Sequence, residues 1–225
     1  MSDKQTNKIN DIGKGFDRIS AFYDLITHSV SFNQINKSQL AFLSYLSTQS
    51  TCLILGGGTG HFLQKLLEEN KTIYVTYVEA SEKMIALAEK CIRKNIPDAL
   101  DRVTFICKRA ENFEFEMYDV IACNYFLDLF DDVYVSLLIK QFKQHLNNDG
   151  VLYITDFSIP ENGIMNWSTK AGLRMLYRFF KWATGLSAKK LPNIESIALQ
   201  EKFILNQSAF FFIRVLKCSL YKQAG

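Results

Sequence analysis

The segment Leu53-Ile54-Leu55-Gly56-Gly57-Gly58-Thr59-Gly60-His61-Phe62-Leu63 decides the reading of this chain. A short apolar run passes into glycines and then into residues with helical spacing, which predicts a buried strand, a tight turn and a helix. Glycine suits such a turn because it accepts positive φ and lets a ligand approach bare backbone. The helix that follows points free amides at whatever lies over the loop. A phosphate-cradling Gly-x-x-x-x-Gly-Lys-Ser/Thr loop is excluded, because the residue five beyond Gly56 is His61. The dinucleotide pattern Gly-x-Gly-x-x-Gly also needs glycine at His61. The pattern present is Gly-x-Gly-x-Gly at Gly56, Gly58 and Gly60.

Working outward, the next apolar run ends in Val78-Glu79, nineteen residues beyond Gly60. A carboxylate at the carboxyl end of a neighbouring strand is placed to accept hydrogen bonds from both ribose hydroxyls and to repel a 2′-phosphate. Taken alone, Glu79 reads equally well as a solvated residue near the next helix N-terminus. With the glycine loop upstream, nucleoside binding is the better reading.

Strand-like runs at Thr51–Leu55, Ile73–Val78, Val103–Cys107, Tyr118–Cys123 and Val151–Phe157 alternate with helical patterns. The helical patterns are marked by Phe62, Leu63, Leu66 and Leu67, by Met84, Ile85, Leu87 and Ala88, and by Val133–Leu146. This alternation means right-handed βαβ units around a parallel sheet. The runs are continuously apolar, as in strands covered on both faces. Phe203–Asn206 and Phe210–Leu220, separated by Gln207–Ser208, predict an antiparallel hairpin at the sheet edge. Phe16, Ile19, Tyr23 and Ile26, then Leu40, Leu43 and Leu46, predict two preceding helices. The expected fold is α/β: a Rossmann-like, doubly wound, mostly parallel seven-stranded sheet with a C-terminal antiparallel hairpin and N-terminal helices. It forms a single domain, with a helical cap over 1–50, a core over 51–160, a helical insertion or lid over 161–193 and the hairpin over 194–225.

The 225 residues are 48% hydrophobic and 22% charged, ordinary for a globular chain with a sizeable core. A net charge of +3 is too small to argue for nucleic acid as a partner. Cys52, Cys91, Cys107, Cys123 and Cys218 are odd in number and without a Cys-x-x-Cys, so reduced thiols in a cytoplasmic chain are expected. With only His28, His61 and His145, no metal site is expected. The polar start lacks the apolar core of a signal peptide.

Taken together, Leu53–Gly60 and Val78-Glu79-Ala80-Ser81-Glu82-Lys83-Met84 resemble the first two motifs of the class I S-adenosylmethionine-dependent methyltransferases. Asp119 in Tyr118-Asp119-Val120-Ile121 and the stretch Asn148-Asp149-Gly150-Val151-Leu152 resemble the family's fourth-strand motif and its turn into the fifth strand. Phe16-Asp17-Arg18-Ile19-Ser20-Ala21-Phe22-Tyr23-Asp24 is similar to the N-terminal helix of the ubiquinone/menaquinone-biosynthesis C-methyltransferase branch.

The resemblance implies S-adenosylmethionine as cofactor. It implies that Gly56, Gly58 and Gly60 pack against the methionine part, Glu79 holds the ribose, and Ala80 and Met84 flank the adenine. It also places Arg109 and the Ala110 amide beside the adenine, Asn124 under the reactive centre and Tyr23 over the methionine carboxylate. Ile54 and Arg109 stand where the family usually has acids, at about 1 kcal/mol or more per lost polar contact. Asp128 and Leu129 replace the quinone branch's Arg-Asn pair, which argues against a quinone substrate.

Methyl transfer mainly requires alignment of two reactants, with a base only where a proton must leave. Asp128, Asp24, His28 and Tyr125 are base candidates by position, and no catalytic residue is assigned. If residues 162–193 are helical, Lys170, Arg174, Arg178 and Lys181 share one face and apolar residues another. Such a helix suits peripheral membrane contact through 170–183, a lid over the substrate, or packing on the sheet or across a dimer. The expected activity is methyl transfer to a small, apolar or aromatic molecule, by a monomer or homodimer. An aminopropyltransferase-like enzyme and a degenerate nucleoside-binding scaffold are the alternatives.

Overall fold

The computed structural model describes residues 30–158, 191–212 and 214–224. The helix expected around Phe16–Ile26, with Tyr23, Asp24 and His28, lies outside them, as do the lid and the basic stripe over 170–183. Within them the chain runs α1 (Val30–Gln39), β1 (Thr51–Leu55), α2 (His61–Glu69), β2 (Tyr74–Glu79), α3 (Glu82–Asn95) and β3 (Val103–Cys107). It continues through β4 (Tyr118–Asn124), α4 (Asp132–His145), β5 (Leu146–Phe157), α5 (Ile194–Gln200), β6 (Phe203–Phe211) and β7 (Leu216–Gln223).

The seven strands form one sheet in the order β3-β2-β1-β4-β5-β7-β6. The first five are parallel and β7 runs antiparallel between β5 and β6. The continuous apolar runs are explained by two cores, one on each face. Leu53, Leu55, Ile121 and Leu152 face Leu138, Ile139 and Phe142 of α4. Their strand neighbours Cys52, Ile54, Val120 and Tyr153 face Phe62, Leu63 and Leu66 of α2. Alternate residues of each strand thus enter opposite cores, and both faces need apolar side chains.

Two local expectations are corrected. Gln207–Ser208 is not the hairpin turn: β6 runs through it with an irregularity between Leu205 and Gln207, and the chain reverses between Phe211 and Leu216. Asn206, Gln207 and Ser208 are exposed on the sheet's edge strand, so their polarity marks a solvated edge. Helix α5 was not anticipated before the hairpin; Asn193 caps it by accepting from the Ser196 amide at 3.1 Å.

Asp119 sits at the amino end of β4, away from the glycine loop. Its carboxylate accepts from the amides of Ser50 and Thr51, both at 3.0 Å, and from Asn147 at 2.7 Å. Burial works to raise its pKa, but the bonds from Asn147, Thr51 and Ser50 outweigh burial and hold it below the ordinary carboxylate value. A depressed acid stabilises the fold above its unfolded pKa, and the contribution disappears as pH falls through the folded value. The melting temperature of the parent should therefore exceed that of Asp119→Asn at neutral pH, with the gap closing as acid is added. A gap independent of pH would exclude this linkage.

All five cysteines are free thiols, with Cys52, Cys123 and Cys218 buried. Among the described residues, no helix is long and apolar enough to cross a membrane, and no cluster of His, Cys, Asp and Glu could hold a metal ion.

Candidate active site

The register places strand ends together. Leu55 pairs with Val78 on one side and Cys123 on the other, Glu79 pairs with Cys107, and Asn124 pairs with Thr155. The loops after β1, β2, β3, β4 and β5 therefore meet along the carboxyl edge of the sheet. The strand order reverses between β1 and β4, where open α/β sheets form a crevice.

A cleft opens there. It is lined by Gly56 and Gly58 from the first loop, Glu79, Ala80 and Met84 from the second, and Arg109, Ala110 and Glu111 from the third. Tyr125, Phe126, Asp128, Leu129 and Phe130 form the wall after β4, and Phe157 closes it from β5. Of the sequence-derived candidates, Gly56, Gly58, Glu79, Ala80, Met84, Arg109 and Ala110 thus converge on one cleft. Gly60 and Asn124 do not line it, and Tyr23 lies outside the described residues.

The glycines divide their work. Gly58, at φ +63°, has no atom within 4 Å of where a Cβ would stand. Bare backbone there faces open space, as close approach of a ligand requires. Gly60, at φ +85°, instead lets α2 pack on α3, since a Cβ would lie 2.8 Å from that of Ala88. A Cβ on Gly56 would meet the Phe126 ring at 2.4 Å.

Glu79 is only 7% exposed. Its Oε2 accepts from the Gly58 amide and its Oε1 from the Ser81 amide, both at 3.0 Å. It is therefore a buried carboxylate tying the first two loops together, not a solvated residue at a helix end. Burial raises its pKa, opposed by the amides of Gly58, Ser81 and Ala80. Tyr77, which reads in the sequence as one more strand residue, donates its hydroxyl to the Gly58 carbonyl at 2.7 Å. Gly58 is thus held at its amide by Glu79 and at its carbonyl by Tyr77. Removing the hydroxyl with Tyr77→Phe should weaken ligand binding at the loop by about 1 kcal/mol, roughly fivefold in affinity, while the core ring stays in place. An unchanged dissociation constant would show that the bond does not set the loop.

Arg109 forms a two-point ion pair with Glu111, Nη2–Oε1 at 2.9 Å and Nε–Oε2 at 3.3 Å. That pair is internally compensated, and Lys108 beside it adds a positive charge to the cleft lining. Asn124, at the end of β4, is 9% exposed, and neither polar atom of its side chain has a hydrogen-bond partner among the described residues. An orphaned buried amide of this kind is rare and points to a group that completes it. Tyr125 follows at φ +53°, an unusual conformation for a non-glycine residue. Its hydroxyl lies 2.6 Å from that of Ser38 on α1, and its ring centroid is 5.2 Å from that of Phe157.

Sequence reasoning placed Asp128 and Tyr125 near the centre but missed Tyr77, Glu111, Phe126, Phe130, Asp156 and Phe157. Asp156 carried a usable signal, since an acid near the carboxyl end of an apolar strand is what marked Glu79.

Comparison with known proteins bears on the family and the fold. Residues 53–152 match the family described as a methyltransferase domain. Over 176 residues the chain is 31% identical to the carboxy-S-adenosyl-L-methionine synthase of Nautilia profundicola, covering 74% of this chain and 71% of that protein. Over 204 residues it is 26% identical to a malonyl-[acyl-carrier protein] O-methyltransferase of Priestia megaterium, covering 89% of this chain and 66% of that protein. The mitomycin 7-O-methyltransferase MmcR has the same fold, with a TM-score of 0.70 at 16% identity over 92% of this chain and 58% of that one. The plantazolicin methyltransferase BpumL, solved with S-adenosylhomocysteine, overlaps 98% of this chain and 97% of its own, at a TM-score of 0.61 and 17% identity. The chain belongs to the class I S-adenosylmethionine-dependent methyltransferases. It spans about two thirds of the length of the Priestia relative and less of MmcR.

Proposed function

We propose that this protein transfers a methyl group from S-adenosylmethionine to a small acceptor with an apolar or aromatic body. The observation that carries the reading is that one cleft joins the open backbone at Gly58 and the buried carboxylate of Glu79 to a wall of Tyr125, Phe126, Phe130 and Phe157. When bound, S-adenosylmethionine supplies an electrophilic methyl group on a sulfonium. Glu79 would accept from the ribose hydroxyls through the lone pairs left by its two amide bonds. Ala80 and Met84 offer apolar contact to the adenine, and the Ala110 amide a donor to its ring. Asn124 would find its missing partners toward the methionine end. The aromatic wall would hold the acceptor and exclude water, so that alignment does most of the catalysis.

A second reading is supported by likeness to the Nautilia synthase: that the product is carboxy-S-adenosyl-L-methionine. Mass spectrometry of the product separates the two. The first test is calorimetric titration with S-adenosylmethionine and S-adenosylhomocysteine, with NAD and decarboxylated S-adenosylmethionine as controls. Micromolar binding of the first pair is expected. Absence of binding at millimolar concentration would overturn the reading and favour a scaffold role.

A further inference from the structure

Beneath the aromatic wall lie two carboxyl groups that the reading above leaves without a task. Asp128, in the turn after β4, and Asp156, near the end of β5, are 5% and 3% exposed. The Asp128 amide donates to Asp156 Oδ2 at 3.1 Å and the Phe157 amide to Asp156 Oδ1 at 2.9 Å. The bond from the Asp128 amide brings the two buried carboxyl groups near enough for each to feel the other. Two like charges this close and out of water do not both stay ionised, so the pair holds one proton in common. Only Asp128 lines the cleft.

We propose that Asp128 is the catalytic base for the methyl acceptor and that Asp156, which keeps the shared proton, is its positioning residue. This rests on the methyltransferase reading of the same cleft. Burial pushes the Asp128 carboxyl up to about 7. Burial and then the charge of Asp128 push Asp156 higher. Near neutral pH, Asp156 therefore holds its proton and Asp128 is available as carboxylate, the condition that suits a base.

The surroundings leave that charge to the cleft. Cys123 on β4 feels Asp156 but is held neutral, its thiol raised first by burial. Lys217, the register partner of Asp156 on β7, pairs with Glu195 of α5. Across the cleft Arg109 and Glu111 neutralise each other, and Lys108 and Glu79 add one charged group of each sign to the lining. In the transfer, the carbon–sulfur bond breaks with its electron pair left on sulfur, and the acceptor atom's pair forms the new bond to carbon. The acceptor's proton passes to Asp128. The sulfonium loses its positive charge as the carboxylate loses its negative one, so the buried site is neutral before and after.

A base facing a sulfonium must respond to that charge whether or not an acceptor is present. Binding of S-adenosylmethionine should favour ionised Asp128 and release protons between about pH 6 and 7, whereas S-adenosylhomocysteine, whose sulfur carries no charge, should release fewer. Titrating the unaltered protein with both compounds, in buffers of different ionisation enthalpy, measures this difference directly. Asp128→Asn should abolish the difference while retaining affinity for S-adenosylhomocysteine, and should lower methyl transfer to a phenol panel by about 10²-fold or more. Asp156→Asn, which can still donate to Asp128, should keep more activity than Asp156→Ala. Equal proton release with both compounds in the unaltered protein would overturn the proposal, even if Asp128→Asn failed to fold. Absence of binding by either compound would instead overturn the methyltransferase reading.

Discussion

Replacing Gly60 by alanine is expected to cost far more stability than the same change at Gly58, two residues away in the glycine loop. Two costs add. The backbone at φ +85° is one that an L-residue adopts at a cost of about 1–2 kcal/mol. The new carbon would also stand 2.8 Å from Ala88 Cβ and 2.9 Å from its Cα, which is backbone and cannot swing aside. Forcing such a contact costs about 1–3 kcal/mol. The sum, about 2–5 kcal/mol, corresponds to a fall in melting temperature of roughly 5–15 °C for a chain of this size. Gly58→Ala makes the contrast, because its φ of +63° carries the conformational cost but no atom lies within 4 Å. It should unfold a few degrees early yet lose cofactor affinity more severely than stability. Calorimetric melting and titration of both variants test the division of labour. If Gly58→Ala proved the less stable of the two, the assignment of Gly60 to helix packing would be wrong.

Glu79→Ala should produce the largest single loss of cofactor binding. It removes the acceptor for the ribose hydroxyls and leaves the amides of Gly58 and Ser81 without their partner. Hydrogen bonds to a buried charge are worth about 1.5–3 kcal/mol, which corresponds to a rise of about 10- to 150-fold in dissociation constant. The pH dependence has a definite sign. Burial raises the Glu79 pKa, so the carboxylate that binds ribose should be lost, as pH falls from neutrality, earlier than for an ordinary glutamate. Stability runs the other way: a raised acid pKa means that the folded chain takes up the proton more readily, so acidification through that range favours the fold. Titrations at stepped pH in the parent and in Glu79→Gln check this, since the amide variant should bind weakly with a flat profile. A parent profile as flat as that of the variant would remove Glu79 from the ribose site.

The glycine loop and Glu79 were legible because each is a break in an apolar run. In Leu53–Leu55 and Tyr77–Val78 both cores demand apolar residues, so a glycine or an acid at the end must be there for another reason. The same logic covers Asp156, although Tyr-Ile-Thr-Asp-Phe hides its acid inside the run. Tyr77 was invisible for the opposite reason: its ring satisfies the core, and only the fold shows that its hydroxyl reaches Gly58. The pairing of Tyr125 with Phe157, and of Asp128 with Asp156, depends on β4 lying beside β5 in the register that sets Asn124 against Thr155. Spacing along the chain carries no trace of that register. The misplaced hairpin turn shows the limit of polarity as a signal, because an edge strand and a turn both face water.

The position of β7 also sets a timetable. It follows every other described strand along the chain, yet it lies inside the sheet, between β5 and β6. Until residues 216–223 leave the ribosome, β5 has no neighbour on that side, and Val151, Leu152 and Tyr153 sit beside an open edge. The nascent chain therefore holds a half-finished sheet whose next strand must be threaded in from the far end, against the order of synthesis. Such long-range pairing is slow and leaves a sticky margin in the interval. A chain cut before Leu216 would keep the glycine loop and Glu79, and would be lost to self-association at the bare side of β5.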